Sequence, residues 1–285
     1  MRIPLPRAAR QPPPQPSNRR SGAIIAAVIV GVLAICILVS VFANTDSKSS
    51  DTSSVDLPTD TPIPDTSGPT ATFEAKGTLD ALQPILKQAQ SWPASFTENF
   101  KDNSHEWKAG DVRDSYVSGN RSISDGIYTW TITSVQGASD FAFPNMPDQT
   151  DFYVSVDMTY VNMPDDPDAD AGLAFRYNST DQTWYYFSVN DKGQYYFGWY
   201  DGNNWSSLIP ETDSSAIHPG QTNKLTVGVQ GSQFIFLING QMVDHFIDHS
   251  LKSGTIGVGV NLPKTGEKAT VQFKNFTVLS AAAKP

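Results

Sequence analysis

Downstream of Trp92, apolar and polar residues alternate with a period of two in short runs broken by turn residues. The runs include "GIYTWTIT", "DFYVSVDMTYV", "AGLAFRYN", "WYYFSVN", "QYYFGWY", "NKLTVGVQ", "SQFIFLIN", "TIGVGVNL" and "ATVQFKNFTVLS". Many such runs in series predict an all-β domain, a two-sheet antiparallel sandwich, over residues 93–280. Asn239-Gly240 between two apolar runs predicts a tight hairpin. In the last run Val271 and Phe273 share one parity while Phe276 and Val278 have the other. A bulge near Lys274-Asn275 would put all four on one face.

The densest aromatic row, "WYYFSVNDKGQYYFGWYDGNNW" from 184 to 205, parses as two strands joined by the loop Asp191-Lys192-Gly193, with Gly193 left-handed. That register pairs Asn190 with Gln194, Val189 with Tyr195, Phe187 with Phe197 and Tyr185 with Trp199. The last six residues form one apolar, core-facing side. Trp184, Tyr186, Ser188, Gln194, Tyr196, Gly198 and Tyr200 face the other way. The preceding run continues the pattern, with Leu173, Phe175 and Tyr177 inward and Ala174 and Arg176 outward.

Ahead of the sandwich the period changes. Leu79, Leu82, Leu86 and Ala89 recur at helical spacing, predicting a short helix over 76–92 interrupted at Pro84. Residues 44–75 read as a disordered stalk, because 22 of the 29 residues from 44 to 72 are Ser, Thr, Pro or Asp and bury too little apolar surface to order. Residues 22–43 carry no charge and are long enough for a transmembrane helix. Five arginines precede that run, within a basic tail at 1–21. They predict a single-pass anchor with the tail in the cytoplasm and the C-terminal bulk outside the cell. The competing reading is a signal peptide cleaved after Val41-Phe42-Ala43; the length of the apolar run and of the basic head disfavours it. Cys36, the sole cysteine, lies inside the apolar run, so no disulfide forms within the chain.

Charge is as uneven as hydropathy. Without the five head arginines, 15 basic residues face 29 acidic ones, a net of about −14. Such a body repels phosphates, so nucleic acid is not the expected partner.

The runs "FTENFKDNSHEW", "DAGLAFRYNSTDQTWYYFSV", "GQYYFGWYDGNNW", "NKLTVGVQGSQFIFLINGQMV", "SGTIGVGV" and "VQFKNFTV" together resemble the concanavalin A-like/laminin-G-like jelly-roll superfamily. They are most similar to its bacterial extracellular family-16-type, keto-disaccharide hydrolase-like domains. The resemblance implies the jelly-roll fold and the strand order. Its members include lectins, glucanases and adhesion or sensor modules, so it assigns no activity by itself.

Jelly-roll glucanases place acids at alternate positions of one strand, since two carboxylates must flank the glycosidic bond. None of Glu74, Glu98, Glu106, Glu211 and Glu267 stands in such a pattern, and Asp157 lacks a partner at alternate spacing. His245 and His249, four apart, would chelate a metal only on a helix, and the local pattern is strand and turn. The candidate glycan platform is Arg176, Trp184, Tyr186, Tyr196, Tyr200 and, in the next loop, Trp205, because pyranose C–H faces pack on aromatic rings while Arg bonds hydroxyls. The competing reading has these aromatics covered, or simply stabilising cross-strand pairs. Candidate ligands for a structural Ca²⁺ are Asp165, Asp166, Asp168 and Asp170 in "PDDPDAD", with Glu98 and Asp102 in "ENFKDN". Crowded hard oxygens suit that ion, although the spacing is no EF-hand and a solvated acidic loop competes. The expectation is a membrane-anchored, non-catalytic extracellular module for a glycan or cell-envelope polysaccharide. A protein-interaction or sensory ectodomain and a divergent glycosidase stand as its alternatives.

Overall fold

The computed structural model describes residues 69–281; the tail 1–21, the apolar run 22–43 and the stalk up to residue 68 lie outside the described residues. Among the described residues, no helix is long and apolar enough to cross a membrane. Helix α1 spans Pro69–Gln90 and so begins inside the expected stalk, with Pro69 at the first helical position, where its fixed φ suits and its missing N–H costs nothing. The helix also runs through Pro84 without interruption. Pro84 lies on the exposed face, where water can take the carbonyl that its missing N–H leaves unpaired. Leu82, Leu86 and Ile85 on the opposite face pack against Ile235, Leu237, Tyr153 and Met242.

The strands are β1 Ala94–Glu98, β2 Gly110–Arg113, β3 Val117–Ser124, β4 Ile127–Ser134, β5 Ala138–Ala142, β6 Phe152–Asn162, β7 Asp170–Asn178 and β8 Thr183–Asn190. They continue as β9 Gln194–Tyr200, β10 Trp205–Asp213, β11 Thr222–Gln230, β12 Gln233–Ile238, β13 Gln241–Ile247, β14 Thr255–Leu262 and β15 Lys268–Ser280. They form a nine-stranded sheet ordered β13-β12-β11-β6-β15-β4-β3-β2, with β1 added to β15. A six-stranded sheet ordered β10-β9-β8-β7-β14-β5 faces it. Sheet order departs from chain order, as antiparallel sandwiches with long connections require.

The inner faces carry one continuous core, including Trp130, Val154, Val156, Phe175, Phe187, Phe197, Phe234 and Phe236. The β8–β9 pairs are as expected: Val189 with Tyr195, Phe187 with Phe197 and Tyr185 with Trp199. Gly193 has φ 88°, and the Asn239-Gly240 turn has φ 53° and 80°, the two positive values a tight hairpin needs. Between Lys274 and Thr277 β15 gains one residue over β6, and Asn275 has φ 51°. Val271, Phe273, Phe276 and Val278 are all fully buried, as the bulge demands.

A second bulge was not legible in the sequence. Between Phe175 and Asn178, β7 carries one residue more than β8, and Arg176 has φ 53°. The extra residue exchanges the two sides. Tyr177 turns outward and stacks on Phe143, ring centroids 4.0 Å apart, while Arg176 turns inward beneath the ring of Phe234.

Candidate functional site: the outer face of the six-stranded sheet

The outer face of this sheet is graded from apolar to polar. At one end Trp184 pairs with Tyr200, and Tyr200 with Trp205, which is the first residue of the edge strand β10 and not, as expected, part of a loop. Tyr177, Phe141 and Phe143 complete an aromatic cluster in which ring centroids lie 4.0–6.5 Å apart. The middle of the face is built from small residues, with Gly259 opposite Gly172, Gly172 opposite Ser188, and Gly257 opposite Ala174.

The other end is polar on every strand. Ser139 pairs with Asn261, Asn261 with Asp170, Asp170 with Asn190, and Gln194 with Asp213. Hydrogen bonds run along this row. Ser139 Oγ donates to Asn261 Oδ1 at 2.8 Å, Asn261 Nδ2 to Asp168 O at 2.8 Å, Asn190 Nδ2 to Gln194 Oε1 at 3.1 Å, and Gln194 Nε2 to Asp213 Oδ1 at 3.0 Å. A ladder of this kind fixes side-chain rotamers in advance, so a ligand that bonds to it costs less ordering entropy.

Glycine decides how the aromatics lie. A Cβ on Gly259 would collide with Phe141, one on Gly257 with Phe143, and one on Gly198 with Tyr196. Each of these rings lies down over the space that the glycine leaves. The expected platform is therefore sorted by depth. Trp184, Tyr186 and Tyr200 are 3, 2 and 2 % exposed and form the bed under the other rings. Tyr196 and Trp205 are half-buried and present ring surface to solvent. Phe143 and Tyr177, also half-buried, were not singled out from the sequence; the bulge that turns Tyr177 outward has no signature in the alternation.

Arg176 is not part of this face. It is 1 % exposed and donates to Leu251 O at 2.6 Å, Thr150 O at 2.9 Å and Gly231 O at 2.6 Å, tying three loops together. The Tyr186 hydroxyl donates to Gly259 O at 3.2 Å. Burial first, and then the nearby Asp170 charge, hold its proton well above the usual phenol range.

The acidic residues do not converge. Among the described residues, no three His, Cys, Asp or Glu side chains form a metal-holding group. Asp165 pairs with Lys192, Asp166 with Lys264 at 2.7 Å, and Asp170 lies in the polar ladder. The Asp168 N–H donates to Asp166 Oδ1 at 3.1 Å. At the other site, Asp102 Oδ1 accepts the Ser104 N–H at 2.9 Å. Glu98 accepts the Phe100 N–H at 2.6 Å and Trp107 Nε1–H at 3.1 Å, with His105 Nδ1 2.8 Å away. Among the candidate calcium ligands, Asp165 and Asp166 thus meet lysine ammonium groups, while Asp102 and Glu98 accept N–H groups. His245 stands on the edge strand β13 and His249 in the loop after it.

One acid beside this loop is tuned. Glu267 Oε2 accepts the Lys264 N–H at 2.9 Å, and burial together with the adjacent Asp166 raises its pKa to about 7. The folded state holds this proton more tightly than the unfolded chain, whose ordinary value is 4.5. The resulting stabilisation is complete below the unfolded value and is lost as pH rises through about 7. Glu267→Gln is therefore expected to flatten the melting temperature between pH 5 and 8 and to raise it at pH 8. A thermal scan in which mutant and parent keep the same pH slope would refute this.

Two stacked antiparallel sheets in this order, with a core between them and a graded outer face, define a jelly-roll sandwich of the concanavalin A-like class. The chain belongs to the family described as the 3-keto-alpha-glucoside-1,2-lyase-like domain, whose model matches residues 94–279. Among solved structures, a prokaryotic β-1,3-1,4-glucanase (lichenase) derived from a mouse hindgut metagenome is similar at TM-score 0.50 and 13% identity, over 66% of this chain and 99% of that one. The carbohydrate-binding module CBM66 from Bacillus subtilis is similar at TM-score 0.45 and 18% identity, over 61% of this chain and 95% of that one. Likeness at these identities is one of fold. No curated protein matches the sequence.

Proposed function

We propose that this chain is a membrane-anchored extracellular glycan-binding module, non-catalytic, whose saccharide lies on the outer face of the six-stranded sheet. Tyr196 and Trp205 offer ring faces to the sugar, and the half-buried Gln194 and Asn261 bond its hydroxyls, held in place by the buried Asn190 and Asp170 beneath them. The observation that carries the reading is the polar ladder beside a small-residue strip and solvent-facing rings, the pairing of stacking surface and fixed hydrogen-bonding groups that sugar recognition needs. Membership in a family described by a keto-glucoside activity supports a saccharide as the ligand class. The uncharged run 22–43 behind five arginines supports the anchor and its orientation.

The test is a glycan array probed with residues 78–285, which contain the whole sandwich core. Tyr196→Ala and Trp205→Ala should each weaken binding about tenfold, the value of one lost stacking contact. Trp184→Ala is a poor probe, because that ring is buried and its loss would disturb the fold. An array with no binder, or binding indifferent to both variants, would count against the glycan face. Protease shaving of intact cells that spares the sandwich would count against its exterior location. Turnover of a 3-keto-glucoside, abolished by Asp170→Asn, would replace binding by catalysis, since Asp170 and the Tyr186 phenol lie close together on this face.

A further inference from the structure

At the end of the sandwich, on the inward side of the β7 bulge, lies a cleft of about 310 Å³. Its lining includes Thr150, Arg176, Ser232, Asp248, His249 and Lys252. Arg176 is unusual there. Among the described residues it is a buried cation without an ion pair, its Nη groups answered only by neutral carbonyls and its Nε–H by no acceptor. A desolvated charge matched only to dipoles is costly, and an anion beside it recovers part of that cost.

Two carboxylates, Asp151 and Asp248, favour the Arg176 charge from nearby, but neither bonds to the guanidinium, and each accepts other donors. Asp151 accepts the Gly231 N–H at 2.8 Å, and Asp248 Oδ1 accepts the Tyr185 hydroxyl and, at 2.7 Å, the Ser250 N–H. His249 and Lys252 are exposed, so their groups can swing over a bound anion. The Ser232 hydroxyl on the cleft wall can bond a neutral hydroxyl. The volume is at the small end for ligand sites and suits one sugar ring rather than a chain.

We propose that this cleft binds a carboxylate-bearing pyranose, such as the uronate residue of an acidic polysaccharide, with Arg176, His249 and Lys252 facing the carboxylate. The site is separate from the outer face; only the choice of a sugar to carry the carboxylate rests on the glycan reading. The shared chemistry is a carboxylate in a cationic cleft.

The experiment uses the full chain in detergent micelles, titrated with glucuronate, glucose and acetate, and follows the Arg176 Nε–H resonance and the heat of binding. Glucuronate should saturate with a millimolar Kd that weakens as salt is added. Glucose should not shift the resonance, and Lys252→Ala should weaken glucuronate about tenfold while folding normally, because Lys252 is exposed. Tyr196→Ala and Trp205→Ala should leave this titration unchanged, which separates it from failure of the outer-face reading. No saturable response to glucuronate below about 50 mM, or full affinity in Lys252→Ala, would overturn the site. Acetate binding as tightly as glucuronate would overturn the sugar assignment.

Discussion

Replacing Arg176 with alanine should lower the stability of the sandwich by about 4 kcal/mol, mainly by removing three charge-assisted hydrogen bonds that connect different loops. For a domain of this size the melting temperature should fall by about 8–16 °C. The cost is smaller than three bonds taken separately would suggest, because the variant no longer desolvates a guanidinium. The backbone contributes independently. Residue 176 has φ 53°, a region costly for alanine and open to glycine. Arg176→Gly should therefore be about 1 kcal/mol less damaging than Arg176→Ala. Denaturant unfolding of the three proteins checks both figures. A loss below about 1 kcal/mol in the alanine variant would mean that the guanidinium does not hold the loops together.

Glu98→Ala should be nearly as severe, at about 3 kcal/mol, and for a different reason. Glu98 is 3 % exposed and both its oxygens are in use, Oε1 by the Phe100 N–H and Oε2 by Trp107 Nε1–H and His105. Deleting the carboxylate leaves buried donors with nothing to accept them, in the middle of an aromatic group made by Phe96, Phe100, Trp107, Tyr128 and Phe276. Phe100 and Glu106 both have positive φ, so the loop after β1 keeps its course against local preference and depends on these bonds. The same geometry engages Glu98 as an internal acceptor, and the expected result is that it holds no ion. Calcium and EDTA should leave the parent's melting temperature unchanged, while Glu98→Ala lowers it by about 6–12 °C. A calcium-dependent rise in the parent that vanishes in Glu98→Ala would reverse that assignment.

These two residues show where local pattern loses its authority. "AGLAFRY" alternates without a fault, and nothing in it reports that one residue will be squeezed out of the ladder. The bulge at Arg176 arises because β7 must satisfy two neighbours, β8 and β14, and both registers slip at the same place. The bulge on β15 was legible because its apolar residues change parity, leaving a mismatch that the chain itself displays. Strands β1, β2, β3, β5 and β10 went unrecognised for a related reason. They are short, lie at or near sheet edges, or mix apolar and polar residues on both sides, so period two carries little signal there.

The aromatic row makes the same division. That Tyr185, Phe187, Phe197 and Trp199 face the core follows from turn chemistry and parity alone, because one glycine-containing loop sets the whole register. How far the opposite row is covered is a different matter. Trp184 and Tyr200 are buried because Phe141 and Trp205 arrive from other strands, and Phe141, Phe143 and Tyr196 lie flat because glycines occupy the positions beneath them.

The chain by itself determined an all-β sandwich, its central hairpins, the β15 bulge and the sidedness of β8 and β9, all consequences of short-range period and turn geometry. Only the tertiary structure decided that Arg176 points inward, that six strands contribute one polar row, that Asp165 and Asp166 meet lysines while Glu98 and Asp102 accept N–H groups, and which rings remain at the surface. Those outcomes depend on neighbours distant in sequence, and side-chain direction on a strand inverts with a single extra residue.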